Sequence, residues 1–197
     1  MSTTFCMIRH GQTDWNLQRR YQGQIDIPLN SKGLLQAKNA FLTLQGQVFE
    51  ALYSSDLQRA LQTAAEIGRA VNLPVLTDKR LREIHQGDWE GQLIDEVFLT
   101  DPDGVNAVYT DPHSIGRPGG ESILIVAERV QLCLTDLSML YNHHKVLVVS
   151  HGLAIATAIC ISRKIPLAET RKYIPNNCEL TEIQFPYADD LVNYEKL

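Results

Sequence analysis

Val146-Leu147-Val148-Val149-Ser150-His151-Gly152-Leu153 is the stretch on which the reading of the fold turns. Four consecutive β-branched or leucine residues show no polar alternation, which suits a strand covered on both faces. The run ends in Ser150-His151-Gly152 and passes at once into an apolar helix, Leu153 to Ile161. Nearer the N-terminus the same design recurs. Phe5 to Ile8 is a short apolar run that ends in polar Arg9-His10-Gly11 and suggests a buried first strand.

Between these two runs, strand-like and helix-like segments alternate. Ser31 is expected to cap a helix bearing Leu34, Leu35, Ala37, Ala40, Phe41 and Leu44, with Gly46 as its stop. Ala51-Leu52-Tyr53 reads as a second strand, and Asp56 as the cap of a helix carrying Leu57, Ala60, Leu61, Ala64 and Ile67. Leu73 to Leu76 reads as a third strand. Residues 101–120, rich in Asp, Pro and Gly, are expected to form an irregular excursion over the surface. Ile123, Val126, Ala127, Val130, Leu134, Leu137 and Leu140 mark a long amphipathic helix, and Leu180 to Phe185 a late strand. The alternation predicts one α/β domain over 1–197, a three-layer α/β/α sandwich on a largely parallel sheet. Ligands of such sheets sit beyond the carboxyl ends of the strands. His10 and His151 both fall there, so they are predicted to share a pocket.

Composition narrows the function. The net charge is −5, which disfavours nucleic acid or an anionic membrane as partner. An anionic substrate would need a local basic site. No apolar run is long enough to span a bilayer, and the N-terminus lacks a basic n-region and a cleavage site, which points to the cytoplasm. Cys6, Cys133, Cys160 and Cys178 are far apart and read as reduced thiols rather than disulfides or zinc ligands.

Individually, the polar residues at the strand ends have bland readings: His10 or His151 as hydrogen-bonded core histidines, Arg59 as a solvated helix arginine, Glu83 as a partner of Arg80 or Arg82. Their company changes this. Ile8-Arg9-His10-Gly11-Gln12-Thr13-Asp14-Trp15-Asn16 resembles the signature of the histidine phosphatase superfamily, the phosphoglycerate-mutase-like proteins. The likeness continues in order through Gly23 to Gly33 (GQIDIPLNSKG), Tyr53 to Ala65 (YSSDLQRALQTAA), Leu81 to Gly91 (LREIHQGDWEG), Pro118 to Ser122 (PGGES) and Val148 to Gly152 (VVSHG).

The resemblance implies a phosphoglycerate-mutase-like fold and metal-independent phosphoryl transfer, with no cofactor. His10 maps onto the family nucleophile and Glu83 onto its general acid and base. Arg9, Arg59, Asn16 and His151 map onto the phosphate pocket, Gly152 adds a backbone donor, and Gln22 and Gly23 fall where relatives contact substrate. No acidic cluster is arranged like a magnesium site, so arginines and neutral donors must stabilise the transferring group.

The family holds both phosphatases and mutases. Where mutases carry Glu-Arg-His-Tyr-Gly, this chain has Glu83-Ile84-His85-Gln86-Gly87, and in place of the mutases' later Arg-Arg pair 101–120 holds only Arg117. The chain therefore looks like the phosphatase branch, similar to α-ribazole phosphatases, metal-independent phosphoserine phosphatases and broad-specificity phosphatases. Its expected partner is a small-molecule phosphate monoester. A non-catalytic binding module is disfavoured because none of the mapped catalytic residues is lost. His85, Gln86 and Trp89 are alternative lining groups, and Trp15 and Trp89 serve either the leaving group or the core. The late strand and final segment are the candidate surface for a homodimer.

Overall fold

The computed structural model describes residues 2–186. Among them are five strands, β1 (Ser2–Arg9), β2 (Ala51–Ser54), β3 (Val75–Thr77), β4 (Lys145–Ser150) and β5 (Leu180–Pro186). The α-helices are α1 (Asp14–Leu17), α2 (Ser31–Ala40), α3 (Gln58–Val71), α4 (Ile94–Thr100), α5 (Pro102–Thr110), α6 (Ile123–Leu140) and α7 (Gly152–Arg163).

Strand periodicity builds the layers. Successive side chains of a strand point to opposite faces. In β1, Phe5 and Met7 enter one apolar cluster, and Cys6 and Ile8 another. In β4, Val146 and Val148 join the first, and Leu147 and Val149 the second. Helices α6 and α7 cover the first face, and the apolar residues Ala60, Ala64 and Ile67 of α3 cover the second. The strand order is β3-β2-β4-β1-β5, with β1, β2, β3 and β4 in parallel pairings and β5 antiparallel to β1. This is the expected mixed α/β fold with a mostly parallel central sheet.

Several local expectations need correction. Residues 101–120 are not irregular throughout, because Pro102–Thr110 is helical. Asp101 accepts from Gly104 N, and Pro102 occupies the start of the helix, where its missing N–H costs nothing. The cap of α2 is Asn30, not Ser31, with its side chain accepting from Gly33 N. Leu34 and Leu35 of that helix are exposed, and Ala37 and Ala40 carry its packing. Asp56 does not cap α3. It pairs with Arg82 at 2.6 Å, and Gln58 N at the helix start donates instead to Asp26 Oδ1 at 2.6 Å. The third strand lies slightly later than expected, at Val75–Thr77. Strand β5 stands at the edge of the sheet, while the final segment considered for a dimer lies beyond the described residues. Among the described residues no helix is long and apolar enough to cross a membrane.

Candidate active site

Parallel pairing of β1 and β4 sets Arg9 opposite Ser150, so His10 and His151 leave the sheet side by side. Their ring centroids are 5.1 Å apart, and both residues are buried. His10 Nδ1 lies 2.7 Å from the carbonyl oxygen of Gly11. A carbonyl only accepts, so Nδ1 carries the hydrogen and Nε2 keeps its lone pair. Burial, reinforced by Arg59 and Arg9, holds the His10 pKa well below its ordinary 6.5 and keeps the ring neutral at neutral pH. The backbone is fixed as well: His10 N donates to Ser150 O at 2.9 Å, and Asn177 Nδ2 donates to His10 O at 2.8 Å.

His151 pairs through Nε2 with Ser55 Oγ at 2.8 Å. Burial, Arg59 and His10 push its pKa well below 6.5 too. Its Nδ1 is buried without a partner, as are Arg9 Nε and Arg59 Nε. Three unpaired nitrogens gathered around one histidine pair suit an anion, because buried polar groups are seldom left unsatisfied.

The arginines are held by carbonyls rather than by close carboxylates. Arg59, at the start of α3, donates through Nη1 to Ile25 O at 2.9 Å and through Nη2 to Gly23 O at 2.7 Å. Burial lowers its pKa to about 10, which leaves it cationic at neutral pH. Arg9 Nη1 donates to Pro175 O at 2.7 Å. Gly23 has φ +52, and a Cβ there would run into the Glu90 carboxylate, so a side chain at this position would disturb the carbonyl that holds Arg59. Asn16 accepts from Thr13 N at 3.0 Å through Oδ1, in a capping box at the start of α1.

Glu83 reaches the same place from the loop after β3. Its Oε1 accepts from Ile84 N at 2.9 Å, and its Oε2 from Leu153 N at 3.3 Å in the first turn of α7. The loop is braced from behind. Arg129 donates to the carbonyl oxygens of Arg80, Arg82 and Glu83 at 2.7, 2.6 and 3.0 Å, and its Nε pairs with Glu121 at 3.0 Å. Ser150 Oγ donates to Leu81 O at 2.7 Å.

A cavity of about 240 Å³ is lined by Arg9, His10, Asn16, Gln22, Gly23, Arg59, Glu83 and Gly152, that is, by each residue mapped onto the family's catalytic and substrate-binding positions except His151. His151 sits beside His10 without reaching the wall. Of the alternative lining groups, Gln86 reaches the cavity while His85 and Trp89 do not; Trp89 stacks on Tyr21, with centroids 5.5 Å apart. Ile84 is buried in the core, so only Gln86 of the two substitutions in that block changes the cavity wall. Sequence reading missed Arg20, Tyr21, Tyr109 and Arg171 on the wall. None belongs to a spaced motif, and Arg171 comes from a 3-10 segment, Leu167–Tyr173, far along the chain. The count of one arginine in 101–120 therefore understated the positive charge at this site. Among the described residues no group of three or more His, Cys, Asp or Glu is placed to hold a metal ion.

Comparison with known proteins places the chain in a family. The family model described as histidine phosphatase superfamily (branch 1) matches residues 5–192. The chain is 34% identical over 188 residues to the probable phosphoglycerate mutase GpmB of Proteus mirabilis, covering 95% of this chain and 87% of that protein. It is 34% identical over 163 residues to phosphoserine phosphatase 1 of Hydrogenobacter thermophilus, covering 83% and 77%. The solved structure of a mycobacterial glucosyl-3-phosphoglycerate phosphatase with VO3 superposes with a TM-score of 0.84 at 32% identity, covering 91% of this chain and 90% of that one.

Proposed function

The chain belongs to branch 1 of the histidine phosphatase superfamily, and from that premise we propose that it hydrolyses a small-molecule phosphate monoester through a phosphohistidine on His10. One observation carries the reading. The Gly11 carbonyl ties up His10 Nδ1–H and leaves a neutral Nε2 in a cavity that also holds Arg9, Arg59 and Glu83. A neutral imidazole with its tautomer fixed is what in-line attack on phosphorus requires.

In the first step the Nε2 lone pair forms the N–P bond while the ester P–O bond breaks. Protonated Glu83 gives its proton to the leaving oxygen, so an alcohol departs. His10 is left as a cationic N-phosphoimidazole, still donating from Nδ1 to Gly11 O. In the second step Glu83, now a carboxylate, takes a proton from water as the water oxygen attacks phosphorus. The N–P bond breaks, its electron pair returns to Nε2, and phosphate leaves. Arg9, Arg59 and Asn16, all on the cavity wall, supply donors to the phosphoryl oxygens. The helix start at Gly152 adds its positive end. Gln22 and Gly23 line the path of the leaving group.

A mutase is the second reading, favoured by the name of the Proteus mirabilis relative and by arginines that reach the cavity from outside 101–120. The absence of a phenol at position 86, on the cavity wall, favours hydrolysis. Two measurements test the proposal. Turnover quenched at alkaline pH should yield a peptide phosphorylated on His10, and His10→Ala should abolish both label and turnover. Supplied with 3-phosphoglycerate and a trace of 2,3-bisphosphoglycerate, the enzyme should release phosphate faster than it makes 2-phosphoglycerate; the opposite order would establish the mutase.

A further inference from the structure

The turn that follows His10 is held by side chains from two helices, α2 and α3. Gly11 N donates to Thr63 Oγ1 at 3.0 Å, and that hydroxyl donates onward to Arg59 O at 2.8 Å within α3. One peptide further on, Gln12 N donates to Gln36 Oε1 of α2 at 2.9 Å. Helix α2 comes very close here. Asn30 N, at its cap, donates to Gln12 O at 3.0 Å. A Cβ on Gly33 would run into that same carbonyl, and a Cβ on Gly11 would run into Gly33 O. The approach that brings Gln36 to Gln12 therefore requires glycine at both positions.

The Gly11 carbonyl and the Gln12 N–H belong to one planar peptide, and in this trans peptide they point in opposite directions. His10 Nδ1 binds one edge of it at 2.7 Å, and Gln36 Oε1 binds the other. We propose that Gln36 is a positioning residue: by holding the Gln12 N–H it aims the Gly11 carbonyl at His10 and so keeps the ring hydrogen on Nδ1. The proposal rests on the reading of His10 Nε2 as the nucleophile and adds what keeps that atom bare. If the peptide turned over, its N–H would face Nδ1, which could then only accept. The ring hydrogen would move to Nε2 and occupy the lone pair needed for attack. Gly11 has no side chain to resist that turn. Gln36 resists it, because Oε1 would then meet a carbonyl oxygen, and its own amide would have to turn over as well to regain a bond.

Two variants and a spectrum test this. Gln36 is half-buried, and Gln36→Met keeps its length and helix propensity while removing the acceptor. Gln36→Glu keeps an acceptor and cannot donate. Long-range proton–nitrogen NMR spectra at pH 7.5, on protein labelled with nitrogen-15 histidine, tell a protonated ring nitrogen from a bare one, and the His10 signals are those lost in His10→Ala. The unmodified protein and Gln36→Glu should show the hydrogen on Nδ1, whereas Gln36→Met should place a share of it on Nε2. In Gln36→Met, kcat/KM for p-nitrophenyl phosphate should fall about fivefold, the worth of one neutral hydrogen bond, and inhibition by inorganic phosphate should stay within about twofold. Gln36→Glu should keep kcat/KM within about threefold of the unmodified enzyme. A ring that keeps its hydrogen wholly on Nδ1 in Gln36→Met, or that shifts as far in Gln36→Glu, would overturn the positioning role and leave the nucleophile reading standing. A ring that shifts in Gln36→Met with kcat/KM unchanged would uphold the control of the tautomer and instead remove Nε2 as the attacking atom.

Discussion

Keeping two buried histidines neutral has a cost in acid that can be measured. His10 and His151 are both held well below their ordinary pKa of 6.5, chiefly by burial. In the unfolded chain both protonate as the pH falls through 6.5, while in the fold they do not. The unfolded state then binds more protons, so stability is full above 6.5 and declines below it. Between pH 7.5 and pH 5.0 each ring costs about 2 kcal/mol, and the pair about 4 kcal/mol, for as long as neither protonates in the folded state. Against a typical total of about 5–15 kcal/mol this is a large fraction. Two ion-paired carboxylates titrate outside the window. Asp56 and Asp78 are shifted below their ordinary 3.8, so their stabilisation is lost only in stronger acid. Urea titrations followed by fluorescence of Trp15 and Trp89, at constant ionic strength and without phosphate, give the stability at each pH. His151→Asn should halve the loss between pH 7.5 and 5.0, whatever it does to stability at pH 7.5. A loss below about 1 kcal/mol in the unmodified protein, or the same loss in His10→Asn and His151→Asn as in the parent, would refute the argument.

The catalytic proposal carries further expectations. Glu83→Gln should slow hydrolysis of alkyl phosphates by about 100-fold or more and p-nitrophenyl phosphate far less, since that phenolate leaves with little help. Equal slowing of both would remove Glu83 from the acid role. Because arginines supply the charge, hydrolysis of p-nitrophenyl phosphate should stay within about twofold of its starting rate in EDTA; loss restored by magnesium would contradict this. At Gly152 an added Cβ would stand 3.1 Å from Ile174 Cγ2 and 3.4 Å from the guanidinium carbon of Arg9. Gly152→Ala should therefore raise KM for p-nitrophenyl phosphate by about tenfold through displacement of Arg9, with little change in thermal stability. An unchanged KM would show that Arg9 does not need that space.

Much of the molecule can be read from its sequence because its signals are local. Unbroken apolar runs at Phe5–Ile8 and Val146–Val149 predict strands covered on both faces, and their polar ends predict where the two histidines meet. Ordered motifs name His10, Arg9, Arg59 and Glu83, and the fold brings all four to one cavity. Local signals can also be misread. Asp101-Pro102 is a helix start hidden within a stretch that looks like loop, and Asp56 looks like a cap until Arg82 claims it.

What the tertiary structure alone decides is which groups, distant in the chain, face one another. The tautomer of His10 depends on the local turn that aims the Gly11 carbonyl, and its neutrality depends on burial by neighbours from other segments. The brace of Arg129 on the Glu83 loop joins residues 46 positions apart. The pairing of Arg171 with Tyr109 and the approach of Arg171 to Arg117 have no counterpart in any spacing, because each residue comes from a separate element. Periodicity and motif report on a residue's own neighbourhood in the chain. Charge, desolvation and stacking act through space, so the motif residues of the cavity were legible in the sequence and Arg20, Tyr21, Tyr109 and Arg171 on the same wall were not.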